Sequence, residues 1–139
     1  MLAPFHLAIP VTCLAKAQAF YGDLLGCTTG RTDAQWIDWN FFGHQLVTHK
    51  VEAMPSAPKY NSVDNHAVPV PHFGVVLSVT DWQVLSAKLQ AANVEFILAP
   101  YTRFAGQAGE QHTLFLLDPF GNALEFKAFA DIGQLFATD

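Results

Sequence analysis

The same order of strand and helix patterns occurs twice along this chain, and this repeat limits the available folds more than any other feature. The first half shows apolar alternation at 5–11, a helical pattern at 14–25 and strand patterns near 27–32, 36–42 and 44–51. The second half shows apolar alternation at 72–79, a helical pattern at about 81–92 and strand patterns near 94–99, 112–118 and 122–129. Strands and helices are distinguished here by their apolar periods of about two and about 3.6 residues. The chain is therefore predicted to contain two βαβββ modules.

Two short signatures align the modules with each other. Each module opens its first strand with a histidine, at His6 and His72, and each enters its last strand through a Phe-Gly pair. The residues four positions after these glycines are Val47 and Glu125. The repeat thus predicts that Val47 and Glu125 occupy equivalent positions.

The predicted fold class is α+β, with one domain over residues 1–139. The first module covers about 1–51 and the second about 72–139. The segment between them, 52–71, contains four prolines and no periodicity, so it is predicted to be a connector or a loop over a site. Gly26 is a predicted helix stop, and Asp81 a predicted N-cap.

Composition excludes several classes of function. The net charge is −5 and the seven Lys and Arg residues are scattered singly, which does not suit nucleic-acid binding. No apolar run approaches the roughly 18 residues of a membrane span. The N-terminus lacks the basic region of a signal peptide, and the two cysteines form no framework. We expect a cytoplasmic protein without a membrane or nucleic-acid partner.

Three ionisable residues are predicted to face a cavity. The apolar face of each opening strand must pack under a helix, so His6 and His72 point to the opposite side. On the last strand Glu125 alternates with Leu124 and Phe126. Burying a lone carboxylate costs several kcal/mol, and coordinating a cation removes that cost. The alternative is that the histidines are satisfied core residues and that Glu125 pairs with Lys127 or Arg103.

Paired βαβββ units, a histidine on each opening strand and the closing segment "DPFGNALEF" together resemble the vicinal oxygen chelate superfamily. This superfamily includes glyoxalase I, bleomycin-resistance proteins, fosfomycin-inactivating transferases and extradiol dioxygenases. The resemblance covers essentially the whole chain, and "FFGHQLV", "VPVPHFGVVL" and "GEQHTLFLLDPFGNALEFKAF" are most similar to small members described as extradiol-type dioxygenases. It implies a curved mixed sheet around a metal-binding cavity, with His6, His72 and Glu125 as ligands and Val47 at the fourth corner.

The absence of a fourth protein ligand bears on the chemistry that the resemblance implies. Valine cannot coordinate a metal, so two histidines and one carboxylate leave adjacent positions open for a substrate with vicinal oxygens. We expect an extradiol-type dioxygenase that uses Fe(II) and O2 on a small-molecule substrate. A glyoxalase-like lyase or isomerase using Mn, Zn or Ni is an alternative, and so is a non-catalytic protein that binds a drug or metabolite.

Further residues are candidates for roles around this centre. His49 follows Val47 by two residues on the same strand face, so it is the candidate acid–base residue, or else an exposed strand-end residue. Tyr101 and Arg103, in a predicted long loop, are expected to bind substrate or to pack. Lys127 shares the face of Glu125 and is also a predicted substrate-binding residue. A homodimer is expected, because the superfamily usually pairs and half-open sheets leave edges to cover.

Overall fold

A computed structural model describes residues 2–138 of the protein, and these residues form two compact units. The first unit contains the residues up to Ala57 together with the turn Asp118–Asn122. The second contains Pro58–Leu117 together with the residues from Ala123 onward. No helix within residues 2–138 is both long enough and apolar enough to span a membrane.

The first unit has the predicted βαβββ order. Its elements are β1 His6–Val11, helix α1, β2 Thr28–Thr32, β3 Trp36–Phe41 and β4 His44–Lys50. Helix α1 begins as an α-helix at Leu14–Ala17 and continues as a π-helix at Gln18–Leu24. It stops just before Gly26, as predicted, where a φ of 77° suits glycine. The strands lie in the order β1-β4-β3-β2, with β1 parallel to β4.

One face of this sheet packs against α1 and the other is left for polar residues. On β3 the side chains of Ile37, Trp39 and Phe41 are at most 6% exposed, while the residues between them are more accessible. The ring of Trp39 lies 6.1 Å from that of Tyr21 on α1. The residues of β3 that alternate with the buried ones therefore lie on the opposite, more accessible face.

The turn Asp118–Asn122 is held by a single carboxylate. The backbone N–H of Gly121 donates to the carbonyl of Asp118, which closes the turn. The Asp118 carboxylate accepts hydrogen bonds from the backbone N–H groups of Phe120 and Asn122 and from the Asn122 side chain. It also accepts one from the Tyr21 hydroxyl on α1, at 2.7 Å. The turn that leads into the last strand is thus anchored from four donors.

The second unit repeats the arrangement of the first. Its elements are β7 Val76–Leu77, α2 Val79–Ala91, β8 Phe96–Arg103, β9 Gln111–Leu117, β10 Ala123–Phe129 and a short 3-10 helix Ile132–Gln134. The strands lie in the order β7-β10-β9-β8, with β7 parallel to β10. The α+β class and the two βαβββ modules are therefore confirmed.

The predicted connector contains a β-hairpin that the sequence pattern did not indicate. Strands β5 Lys59–Val63 and β6 His66–Val70 pair antiparallel and form a two-stranded sheet. All residues of β5 except Val63 are exposed, so the strand has no apolar alternation to detect.

Two local predictions in the second module were wrong. The N-cap of α2 is Ser78, whose hydroxyl accepts a hydrogen bond from the Asp81 N–H, so Asp81 lies inside the first turn. There its negative charge still favours the helix N-terminus. Strand β8 extends to Arg103, so Tyr101 and Arg103 belong to a strand and the loop before β9 covers only 104–110.

Candidate metal centre

Strand β10 carries a carboxylate between buried apolar residues. Leu124, Phe126 and Ala128 are fully buried, and the Phe126 carbonyl accepts a hydrogen bond from the Trp82 indole of α2. Glu125 lies on the opposite face, and only 12% of its side chain is exposed. The alternation along β10 therefore points Glu125 away from the helix, into a largely enclosed position.

The imidazole of His72 faces this carboxylate in a defined orientation. Its Nδ1 lies 2.7 Å from the carbonyl oxygen of Pro69 on β6, and its Nε2 lies 3.2 Å from Glu125 Oε1. A carbonyl oxygen can only accept, so Nδ1 carries a proton and donates it to Pro69. The imidazole makes a T-shaped contact with the Phe115 ring, with ring centroids 4.9 Å apart.

The two oxygens of Glu125 have different surroundings. The hydroxyl of Thr113 on β9, which is 1% exposed, donates a hydrogen bond of 2.6 Å to Oε2. Oε1 instead faces His72. The protein thus fixes one oxygen of the carboxylate and leaves the other for whatever lies beside the imidazole.

The pKa values of the pair shift in opposite directions. Hydrogen bonding to Glu125 raises the pKa of His72 against the opposing effect of burial. Burial alone would raise the pKa of Glu125, but hydrogen bonds from His72 and Thr113, with the charge of Lys127, hold it below its usual value. Both shifts stabilise the ion pair between a protonated His72 and a negatively charged Glu125.

The geometry of this pair suits a divalent cation. With Nδ1 committed to Pro69, a neutral His72 directs its Nε2 lone pair at Glu125 Oε1, which is also an acceptor. A proton or a metal ion between the two atoms removes this conflict. Two ligand atoms about 2.1 Å from one ion are about 3.0 Å apart at a right angle and about 3.4 Å apart at the tetrahedral angle. The observed separation of 3.2 Å lies between these values.

The structure brings two of the three predicted ligands together. Between residues 2 and 138 there is no cluster of three or more His, Cys, Asp or Glu side chains that could hold a metal ion. His6 belongs to the first unit, where its Nδ1 lies 2.8 Å from Gln45 Oε1 on β4. His6 as the third ligand stays a prediction.

Val47 and His49 share one face of β4. Leu46 and Thr48, on the other face, are at most 2% exposed, and the Thr48 hydroxyl accepts a hydrogen bond from Trp39 in the core. His49 is exposed and pairs in register with Pro10 of β1. The parity used to select His49 therefore agrees with the strand, and its catalytic role stays a prediction.

An open cleft lies at the exposed face of the same sheet. Its volume is about 580 Å³, and its lining includes Thr28, Arg31, Asp38, Asn40 and Gln45. Clefts of roughly 300–1,000 Å³ accommodate small molecules. The first unit thus offers room and hydrogen-bonding groups for a small polar ligand.

Two of the predicted substrate-binding residues contact the hairpin. The guanidinium of Arg103 forms an ion pair with Asp64, in the turn between β5 and β6. The ring of Tyr101 lies 5.2 Å from that of His66, and burial together with the charge of Asp64 raises the pKa of Tyr101. Arg103 is therefore not a partner of Glu125, which was one alternative for that carboxylate.

The third predicted substrate-binding residue lies beside the His72–Glu125 pair. Lys127 is half-buried on the same face of β10 as Glu125, and its ammonium lies 5.9 Å from the centre of the Phe129 ring. It faces Thr113 across the ladder to β9. Its role in substrate binding stays a prediction.

Sequence reasoning missed the residues that hydrogen-bond to two of the candidate ligands. Thr113 holds Glu125, and Gln45 contacts His6. Gln45 lies two residues before Val47, so the same strand parity that selected His49 could have found it. Thr113 could not be found in this way, because the sequence did not show which face of β9 points inward. The register with β10 decides this.

Comparison with known proteins gives a consistent family. The sequence profile of the glyoxalase/bleomycin resistance protein/dioxygenase superfamily matches residues 4–126. The chain is similar to a glyoxalase/bleomycin resistance protein/dioxygenase from Alicyclobacillus acidocaldarius, with 32% identity, 96% of each chain covered and a TM-score of 0.76. No curated protein matches the sequence of this chain.

More distant structures share the fold. The fosfomycin resistance protein FosX from Listeria monocytogenes is 15% identical, with 96% of this chain and 98% of that chain covered and a TM-score of 0.71. Lactoylglutathione lyase from Agrobacterium tumefaciens is 17% identical, with 97% and 96% covered and a TM-score of 0.66. At these identities the similarity shows the fold alone.

Proposed function

This chain belongs to the glyoxalase/bleomycin resistance protein/dioxygenase superfamily, and within it we propose that the protein is a metal-dependent enzyme acting on a small substrate chelated through vicinal oxygens. The supporting observation is the His72–Glu125 pair, in which an imidazole nitrogen and a carboxylate oxygen face each other at 3.2 Å while their other polar atoms are bound elsewhere. Two such acceptors favour a cation between them.

His72, Glu125 and His6 would hold the ion, which would supply Lewis-acid and template chemistry. Val47, at the position equivalent to Glu125, offers no ligand atom, so that coordination position would be open to the substrate. His49 would accept the proton of a substrate hydroxyl, and the charge of Lys127 would attract an anionic group. The specific reaction that we propose is extradiol-type ring cleavage with Fe(II) and O2.

Metal binding is tested first, on the protein purified without metal. Calorimetric titration with Fe(II) under argon, and with Mn(II), Zn(II) and Ni(II), should show one high-affinity site per chain. Binding should be lost in His72→Ala and Glu125→Ala, and weakened in His6→Ala. The matched controls are His112→Ala, a histidine stacked on Trp82, and Glu95→Ala, an exposed carboxylate. Equal affinity in the ligand variants and in the controls would end the proposal.

The reaction is tested on the loaded protein. O2 uptake with a panel of catechols should depend on Fe(II), and His49→Gln should lower kcat while leaving metal affinity unchanged. Turnover of a methylglyoxal–thiol adduct with Zn(II) or Ni(II), without O2, would show a lyase instead. Ligand binding that survives removal of the metal, without any turnover, would show a binding protein.

We also propose that the protein is a homodimer. Strand β2 pairs only with β3 and β8 only with β9 in the sheets of residues 2–138, so both sheets have edges available for pairing. Light scattering gives the mass in solution. Mixing His6→Ala with His72→Ala then locates the third ligand. Random exchange makes half of the dimers mixed, and one of the two sites in each mixed dimer is intact if His6 acts across the dimer. Tight metal binding to about a quarter of all sites is then expected, and no tight binding if His6 acts within its own chain.

A further inference from the structure

Three polar side chains on adjacent strands of the first unit form a directed chain of hydrogen bonds. Asp38 lies on β3, Gln45 on β4 and His6 on β1. The Gln45 amide nitrogen lies 3.4 Å from Asp38 Oδ2, and the Gln45 amide oxygen lies 2.8 Å from His6 Nδ1. His6 and Gln45 are direct partners in the parallel register of β1 and β4. This series of hydrogen bonds therefore crosses three strands on one face of the sheet.

The donor and acceptor chemistry of these groups permits one arrangement. A carboxylate only accepts hydrogen bonds, so Asp38 requires the NH2 group of Gln45 to face it. The amide oxygen of Gln45 must then face His6. Because this oxygen also only accepts, the proton of a neutral His6 ring must be on Nδ1. The lone pair of Nε2 is left free.

We propose that Asp38 and Gln45 are positioning residues that hold His6 as the Nδ1–H tautomer and so present its Nε2 lone pair to a metal ion. The tautomer itself follows from the hydrogen bonds alone, and the metal part rests on the proposed function. Outer hydrogen-bond partners of this kind commonly fix the orientation of metal-binding histidines.

The neighbouring polar side chains have partners of their own. Asn40 pairs in register with Gln45. Its amide oxygen accepts a hydrogen bond from the backbone N–H of Gly43. The Nδ1 atom of His44 accepts the backbone N–H of Phe5. Neither side chain therefore competes through these atoms for the amide of Gln45.

The Nδ1 protons of the two histidines are held by different kinds of acceptor. The Nδ1 proton of His72 is held by the backbone carbonyl of Pro69, which no side-chain substitution removes. The Nδ1 proton of His6 is held by a side chain, whose own orientation depends on Asp38. A point mutation can therefore remove the group that holds the Nδ1 proton of His6, but not the group that holds the Nδ1 proton of His72.

The test uses the metal-free protein labelled with 15N, at a pH where the imidazoles are neutral. Long-range 1H–15N correlation spectra report which ring nitrogen carries the proton. Wild-type His6 should be mainly the Nδ1–H form. Gln45→Leu should make Nε2–H the major form, which unconstrained histidine prefers, and Asp38→Asn should give a mixture. His72 should keep its Nδ1–H form in every variant and serves as the internal control.

A double variant keeps the polarity with different groups. In Asp38→Asn with Gln45→Glu, a carboxylate accepts from His6 and an amide donates to that carboxylate, so the Nδ1–H form should return. A wild-type His6 that is mainly Nε2–H, or a Gln45→Leu variant with an unchanged tautomer, would overturn the inference. Since Gln45 is exposed, folding should survive these changes.

Metal affinity is a separate readout. Gln45→Leu should weaken binding about 10–100-fold, as loss of an outer hydrogen-bond partner does in other metal sites. If the spectra show the expected tautomers but the wild type binds no metal, the proposed function fails while the positioning role of Asp38 and Gln45 on the ring stands. If metal binds but Gln45→Leu leaves both tautomer and affinity unchanged, the positioning role alone fails.

Discussion

Replacing Tyr21 with phenylalanine should destabilise the fold by removing one donor from a buried carboxylate. The Tyr21 side chain is fully buried and Asp118 is 5% exposed. The hydroxyl donates to Asp118 Oδ2 at 2.7 Å, and burial with the nearby carboxylate raises the pKa of Tyr21 well above its usual value. Phenylalanine has nearly the same shape, so the substitution deletes the hydrogen bond and little else.

The expected loss is about 2 kcal/mol in the free energy of unfolding. Hydrogen bonds to charged groups contribute about 1.5–3 kcal/mol. A value in the lower half of this range is expected, because three donors from Phe120 and Asn122 still hold Asp118. For a chain of 139 residues, this corresponds to a decrease in Tm of roughly 5–8 °C.

Urea denaturation at one fixed protein concentration measures the change. The midpoint should fall while the m-value stays constant, because the same surface is exposed on unfolding. The matched control is Tyr60→Phe, which removes a hydroxyl from a side chain that is 52% exposed and should change stability by less than about 0.5 kcal/mol. A loss below about 0.5 kcal/mol in Tyr21→Phe, equal to the control, would refute the role of this hydrogen bond.

Other changes test the proposed metal binding by His72 and Glu125 and the residues that support this pair. Thr113→Val keeps the shape of the side chain but removes the donor to Glu125 Oε2. Metal affinity measured by calorimetry should therefore fall about 10–100-fold. An unchanged affinity would contradict this role of the hydroxyl. Gly74→Ala would place a Cβ atom 1.5 Å from the Glu125 carbonyl oxygen. Urea denaturation should show that the free energy of unfolding falls by at least about 3 kcal/mol, or the variant should fail to fold. Near-wild-type stability would disprove the close approach. Because the pKa of His72 is raised, protons should compete with the metal for its imidazole. Below that pKa, metal affinity should fall by about tenfold per pH unit, and binding should release a proton. A pH-independent affinity would argue against His72 as a ligand.

The repeated pattern predicted most of the fold. Apolar alternation and the helical stripes placed both modules, and strand parity placed Glu125 on the face opposite to Leu124 and Phe126. Periodicity is a local property, so a single sequence shows it directly. The hairpin β5–β6 was missed for the same reason, since its first strand is almost entirely exposed and carries no period.

The sequence predicted the strand face of a side chain better than its hydrogen-bond or ion-pair partner. It offered Lys127 or Arg103 as possible partners of Glu125, but Arg103 pairs with Asp64 and Glu125 with His72. Asp64 lies in a segment without a recognisable pattern, so its effect on Arg103 could not be foreseen. Likewise, the Ser78 cap of α2 depended on where strand β7 ended, which alternation alone does not determine.

The order of the residues alone determined the two βαβββ modules and the chemical types of the candidate ligands, and it predicted the equivalence of Val47 and Glu125. Only the tertiary structure decided that Nε2 of His72 faces Oε1 of Glu125, and that Pro69 and Gln45 accept from the two imidazoles. The physical reason is that a side chain's face depends on its own strand, whereas its hydrogen-bond partners depend on the register between strands far apart in the chain.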